Sequence, residues 1–180
     1  KIAIITGAAN GIGAAAAQCF AREGARLVLV DRDDARLVEQ AKAIGAAASH
    51  VVADVTKPED AKRYVRAAVD RHGGVDILIN NAGILRDKSF SKMTMDDFKK
   101  VVDVHLFGTA NCTKAVWETM REQNYGRIML TSSASGIYGN FGQSNYGAAK
   151  AAMVGFMNVL HHEGAKNNIR VNTLAPTAAT

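Results

Sequence analysis

The sequence predicts one doubly wound α/β domain over residues 1–180, a parallel sheet between two layers of helices in α/β/α order. Three observations predict it. Short runs that are apolar at nearly every position alternate with helix-length patterns, and strands of that kind are buried on both faces. The first run passes straight into a glycine-rich turn and then a helix. The 180 residues, 48% hydrophobic and 22% charged, suffice for one such core, and no repeat, low-complexity stretch or linker divides them.

Taken in order, strands are expected at Ile2 to Thr6, Ala25 to Val30, His50 to Ala53, Val75 to Asn80, Arg127 to Ser132 and Ile169 to Leu174. Helices open near Gly11, Asp33, Lys57, Thr94 and Gln143, the fourth running from Thr94 to Arg121. Right-handed crossovers between such strands give a Rossmann sheet. Thr180 follows closely on the sixth strand, so the C-terminal part that would cover a substrate is expected to be missing from this sequence.

Composition narrows the function. No apolar run approaches the roughly 20 residues of a membrane-spanning helix, and Lys1 opens inside a strand-like run with no secretory pattern before it. Cys19 and Cys112 lie far apart without CxxC spacing, so both are expected as buried reduced thiols in helices, in a reducing, cytoplasmic setting. The five histidines show no ligand spacing, and no metal is expected. The formal charge of +5 is spread over scattered residues, which suits a phosphorylated small molecule better than nucleic acid or a membrane surface.

The turn after the first strand reads Thr6-Gly-Ala-Ala-Asn-Gly-Ile-Gly13. Gly7, Gly11 and Gly13 allow a tight turn and a close backbone approach, while the helix N-terminus offers free N–H groups to a pyrophosphate. Asn10 and Ile12 lie in the same turn. Its place in a βαβ unit points to a dinucleotide. The second strand leads into Asp31, whose carboxylate suits the two adenosine-ribose hydroxyls and repels a 2′-phosphate, favouring NAD. Arg32 could hold that phosphate, which keeps NADP open.

Tyr146 and Lys150 stand four apart in a helical segment and share a face. A free phenol ionises near pH 10, too high for a base at neutral pH. An ammonium close by favours the phenolate. By itself this spacing occurs by chance on many helices.

The spacing TGxxxGIG, Asp54-Val55 after the third strand, Asn80-Asn-Ala-Gly83 after the fourth, Ser133, and Tyr146-x-x-x-Lys150 follow one another in order. This set resembles the short-chain dehydrogenase/reductase family over essentially the whole chain. The stretch Thr131 to Lys150, with Asn81 to Asp87, is most similar to its (3R)-hydroxyacyl-CoA dehydrogenase branch, the dehydrogenase of peroxisomal multifunctional enzyme type 2 and its bacterial relatives. Bacterial 3-oxoacyl-carrier-protein reductases are similar to a lesser degree. The resemblance implies that Tyr146 moves a hydroxyl proton, that Lys150 also holds the nicotinamide ribose, and that Ser133, thirteen residues before Tyr146, donates to the substrate oxygen. Ser132 and Ser135 are neighbouring alternatives.

It further implies that Asp54 accepts the adenine amino group, that Val55, Ala82 and Gly83 flank ring and ribose, and that Pro176 closes on the cofactor. Asn81 reads either as a ribose contact or as a strand-end cap. Arg86, Lys88 and Lys92 read as a solvated basic face or as a landing place for CoA phosphates.

Three departures stand out. The branch carries an insertion after its second strand, where Asp31-Arg-Asp-Asp34 here enters a helix directly. That suggests a stand-alone bacterial relative. The family's Pro-Gly reads Pro176-Thr177. His105 replaces the family's asparagine, as in the hydroxyacyl-CoA branch, and reads either as part of a proton relay or as a structural histidine.

The implied activity is an NAD-dependent oxidoreductase of the 3-hydroxy/3-oxo group of an acyl-CoA, in fatty acid metabolism, working as a homodimer or homotetramer. A dehydrogenase of another secondary alcohol, such as a steroid or polyol, and a non-catalytic dinucleotide sensor remain alternatives, because fold alone does not separate them.

Overall fold

The structure, a computed structural model, describes residues 1–176. Six strands form one parallel sheet in the order β3-β2-β1-β4-β5-β6: β1 Ile2–Thr6, β2 Arg26–Asp31, β3 Ala48–Val52, β4 Ile77–Asn80, β5 Gly126–Thr131 and β6 Ile169–Leu174. The predicted doubly wound, three-layer architecture is therefore the observed one. Thr177 of the Pro176-Thr177 pair lies outside the described residues.

Alternation along the strands decides which layer each residue meets. Ala3 and Ile5 of β1, with Leu27 and Leu29 of β2, join a buried cluster with Ala17 of α1 (Gly11–Arg22) and Leu37 of α2 (Asp34–Ile44). Ile4, Val28, Val30, Leu78 and Ile128 point the other way. They meet Tyr64 of α3 (Pro58–His72), and further along this layer lie Val116 and Met153. Val116 sits in α5 (Gly108–Glu122) and Met153 in α7 (Ser144–Gly164). Val116 is thus core of its own chain.

Where expectation and structure differ, the cause is local. β4 starts at Ile77 and not Val75, because the N–H and carbonyl of Val75 are bonded by the Gln123 side chain at 2.9 and 2.8 Å. The helix expected from Thr94 to Arg121 is broken. Thr94 caps α4 (Met95–Val102) by accepting from Asp97 N–H, and a π-turn over Asp103–Phe107 then links α4 to α5. Such single π-turns cluster at functional sites. A short helix, α6 (Ala134–Tyr138), follows β5 in a stretch where no helix is among those expected.

The two cysteines part company. Cys112 is buried, and burial pushes its thiol up to about 12. Cys19 is exposed, contrary to expectation, because the buried face of α1 is the small-residue stripe Gly13, Ala14 and Ala17.

β1 and β4 are neighbours whose chains continue to opposite sides, so the crevice at their C-terminal ends is the topological switch point of the sheet. The glycine turn and the loop after β4 both open there.

Candidate active site

The glycine turn is built as its residues demand. Gly7 takes φ +67°, and a Cβ there would stand 2.9 Å from both Ala82 Cα and Asn81 Nδ2. A side chain at Gly13 would collide with the Gly7 carbonyl, so the first turn of α1 packs directly on the loop before it. Asn10 is the N-cap of α1 but makes no side-chain cap bond, and no acidic residue sits in the first turn. The orphan N–H groups of this helix end therefore remain available to an anion.

Asn81 is bonded at the strand end and also lines the larger of two cavities at the switch point. Its amide donates to the carbonyls of Thr6 and Gly7, each at 3.2 Å, and bolts the end of β4 to the glycine turn. Thr6 Oγ1 completes the bolt by accepting from Asn81 and Ala82 N–H at 3.1 and 3.2 Å.

At the end of β2, the Asp31 carboxylate accepts N–H bonds from Ala9, Arg32 and Asp33 at 3.0, 2.7 and 3.1 Å. These bonds aim the group without exhausting its lone pairs. Arg32 turns toward Asp54, with 3.7 Å between guanidinium and carboxylate. Asp54 also accepts from the N–H and hydroxyl of Thr56 at 3.0 and 2.8 Å. Arg32, a cation that could attract a 2′-phosphate, is thus partly answered by a carboxylate.

Two cavities meet at the switch point. One of about 150 Å³ is lined by Asp31, Arg32, Asp54, Val55, Ala82 and Gly83. The second, about 490 Å³, gathers Asn10, Ile12, Asn81, His105, Tyr146 and Lys150. Gly7, Asp31 and Gly83 line both. Residues from six separated stretches of sequence are thereby brought together. Ser133 and Pro176 line neither cavity.

Lys150 is buried, and its ammonium donates to the carbonyl of Thr131 at 2.5 Å. It stands 5.4 Å from the centre of the Tyr146 ring. Burial disfavours the charged amine and brings it down to about 8. Ser132 is used up internally, its hydroxyl donating to the Lys150 carbonyl at 2.7 Å. Ser133 caps α6 by accepting from Ser135 N–H at 3.2 Å, which leaves its own hydroxyl proton free to donate.

His105 is only 3% exposed and sits in the π-turn. Its Nε2 lies 2.8 Å from the Ile84 carbonyl and 3.1 Å from the Ile84 N–H, so the ring clips the backbone of the β4–α4 loop. Its ring meets Tyr146 edge to face, centroids 5.1 Å apart. Nδ1 is buried without a hydrogen-bond partner among the described residues. Desolvation first, then the nearby Lys150 charge, lowers the imidazole to about 4 and keeps it neutral. Gly83 must lack a side chain, since a Cβ would run into this ring.

Arg86, Lys88 and Lys92 are exposed, as a solvated face would be. Lys88 pairs with Asp97 at 2.8 Å and Arg86 lies 3.9 Å from the same carboxylate, which these cations hold below the usual range together with the Thr94 hydroxyl. His161 and His162 are exposed near the end of α7. Among the described residues no cluster of histidine, cysteine and carboxylates could hold a metal, and no helix is long and apolar enough to cross a membrane.

Sequence reasoning passed over Asn145. It is fully buried beside Tyr146, and its bonds all go to backbone groups, which leave no mark in a motif.

Comparison with known proteins points the same way as the geometry. A family model described as short chain dehydrogenase matches residues 1–180. Peroxisomal multifunctional enzyme A of Dictyostelium discoideum is 48% identical over 100% of this chain, which spans 43% of that protein. Peroxisomal multifunctional enzyme type 2 of Mus musculus is 44% identical over 100% of the chain and 26% of its own length. Acetoacetyl-CoA reductase of Allochromatium vinosum is 40% identical over 98% of the chain and 74% of its own length. The chain thus spans less than half the length of the two multifunctional relatives. Their alignments run over 192 and 194 positions against 180 residues, so both carry extra residues inside the matched stretch.

Proposed function

The chain belongs to the short-chain dehydrogenase family, and from that premise we propose that it transfers a hydride between NAD(H) and the 3-hydroxy/3-oxo carbon of an acyl-CoA. One observation carries this reading: a single cleft joins the anion-ready glycine turn and Asp31 to Tyr146 and the buried Lys150. A nicotinamide dinucleotide bound there would supply the hydride acceptor or donor.

The glycine turn (Gly7, Asn10, Gly11, Ile12, Gly13) holds the pyrophosphate. Asp31 takes the adenosine ribose, with Asp54, Val55, Ala82 and Gly83 around the adenine. Asn81 supports this floor from behind through its bolt to Thr6 and Gly7. Arg32, answered by Asp54, leaves Asp31 to set the preference for NAD. Pro176, just after β6, is assigned to the cofactor on the family resemblance, although it lines neither cavity.

Tyr146 takes the proton of the substrate hydroxyl in oxidation and returns it in reduction. Lys150 keeps its ammonium beside that ring and holds the nicotinamide ribose. Ser133 donates its free hydroxyl proton to the substrate oxygen as negative charge develops there. His105, whose Nε2 is committed to Ile84, holds the wall of the cleft and does not carry the proton.

The acyl-CoA assignment is supported by the Allochromatium relative, named for acting on acetoacetyl-CoA, and by the run Gly139 to Gln143 beside the site. The protein works as a homodimer or homotetramer. Its compartment is the cytoplasm for a stand-alone bacterial enzyme, whereas the Dictyostelium and mouse relatives are named as peroxisomal.

A panel of 3-hydroxyacyl-CoA chain lengths, a steroid and a polyol, each with NAD and with NADP, tests this by absorbance of the reduced cofactor. Turnover of the thioesters with NAD is expected. Brisk oxidation of the steroid or polyol with none of the thioesters overturns the substrate assignment. Dinucleotide binding without turnover of any alcohol favours the sensor reading.

A further inference from the structure

We propose that Asn145 is a positioning residue that locks Tyr146 to the loop between β4 and α4, so that the acid/base group and the wall it faces move as one body. The inference rests on the reading of Tyr146 as the proton-transfer group.

The helix carrying Tyr146 begins without a conventional cap. Gln143, at the N-cap of α7, makes no side-chain cap bond, which leaves the first N–H groups of the helix in need of acceptors. Asn145 supplies one. Its Oδ1 accepts the Tyr146 N–H at 2.7 Å. Its Nδ2 donates to the carbonyl of Arg86 at 3.1 Å and, more weakly, to that of Asp97 at 3.4 Å. One side chain, 0% exposed, therefore joins the first turn of α7, the β4–α4 loop and α4 itself. The Asn145 amide itself is shut off from solvent, so its loss takes an inner partner from three partly buried backbone groups.

The same two segments are tied again at the surface, where Lys88 N–H donates to the Gly142 carbonyl at 2.9 Å and Gln143 Nε2 to Asp87 Oδ2 at 2.8 Å. Those outer ties are open to water and compete with it. Asn145 is the inner tie, adjacent in sequence to Tyr146. His105 holds Ile84, two residues before Arg86, and packs on the Tyr146 ring. Backbone and ring of Tyr146 are thus referred to one loop from two sides, and a shift of either misplaces the phenol. Misplacement by about 1 Å costs on the order of 10²-fold in rate.

The test uses Asn145→Ala in the intact protein, with acetoacetyl-CoA and NADH as probes. Backbone amide exchange should quicken at Tyr146 and across residues 84–93 and stay unchanged in β1 to β3. The rate constant kcat should fall roughly 10- to 100-fold, with NADH affinity held within about twofold because the glycine turn and Asp31 are untouched. A merely structural residue would lower Tm and leave kcat of the folded enzyme and the local exchange pattern as they were; that result overturns the proposal. If the alanine variant does not accumulate, Asn145→Ser, which keeps one polar atom in place, is read by the same criteria. Failure of the Tyr146 reading looks different. Tyr146→Phe would then turn over normally, while the exchange pattern of Asn145→Ala would still report whether the tie exists.

Discussion

Replacing His105 by glutamine should flatten the acid limb of the protein's stability. The imidazole is brought from its ordinary 6.5 down to about 4 by burial and by the neighbouring Lys150 charge. A folded-state value below the unfolded one means that the unfolded chain binds the extra proton first as pH falls. The stability linked to His105 is therefore whole above about pH 6.5 and drains away between there and about pH 4. At about pH 5 the unfolded state has gained some 1.5 pH units of protonation advantage, worth about 2 kcal/mol at 1.36 kcal/mol per unit. Glutamine does not titrate, and its amide offers both a donor to the Ile84 carbonyl and an acceptor for the Ile84 N–H, the two groups that His105 Nε2 faces. Urea unfolding followed by the fluorescence of Trp117, the single tryptophan, gives the stability of each protein at about pH 7 and about pH 5. Wild type should lose about 2 kcal/mol more than His105→Gln between those two conditions. All carboxylates are common to both proteins and cancel. Equal losses would mean that His105 is not held neutral by its burial, and the account of the π-turn pocket would be wrong.

Lys150 gives the companion effect at the alkaline end. Its amine is held at about 8, so stability should rise as pH climbs from about 8 toward the ordinary 10.5, by roughly 3 kcal/mol, and Lys150→Met should lose that rise in the same urea titrations. Gly13→Ala puts a methyl group into the Gly7 carbonyl and should weaken NADH binding at least tenfold by fluorescence titration, with the sheet intact by circular dichroism; unchanged affinity would remove the glycine turn from the cofactor site. Asp31→Ala removes the carboxylate assigned to the ribose and should shift the ratio of kcat/KM toward NADP by about tenfold or more, and an unmoved ratio would sink its assignment as the selector.

Much of the architecture was legible because its signals are local. An apolar run such as Ile2 to Thr6 followed by glycines that need φ > 0 or close approach specifies strand, turn and helix together. Tyr146 and Lys150 can be singled out because their spacing lies within one stretch of chain, and both line one cavity, which Ser133 does not. What escaped depends on partners far away in sequence. Asn145 bonds carbonyls 59 and 48 positions distant, and no pattern around it announces them. Val75 reads as strand from its apolarity, yet the Gln123 side chain, 48 positions on, takes its backbone groups out of the ladder. The π-turn at Asp103–Phe107 has helical composition throughout, so only its backbone hydrogen bonding reveals the extra residue in the turn. Cys19 was misplaced because helical membership fixes a periodicity but not which stripe faces the core.

The central claim is that Tyr146 moves the proton while Lys150 and the glycine turn hold the nucleotide. Turnover of 3-hydroxybutyryl-CoA by Tyr146→Phe, measured beside its NADH affinity, tests this most directly. The account predicts a rate lower by on the order of 10²–10⁴ with NADH binding essentially unchanged. A Tyr146→Phe enzyme that reduces NAD at a near wild-type rate would contradict it.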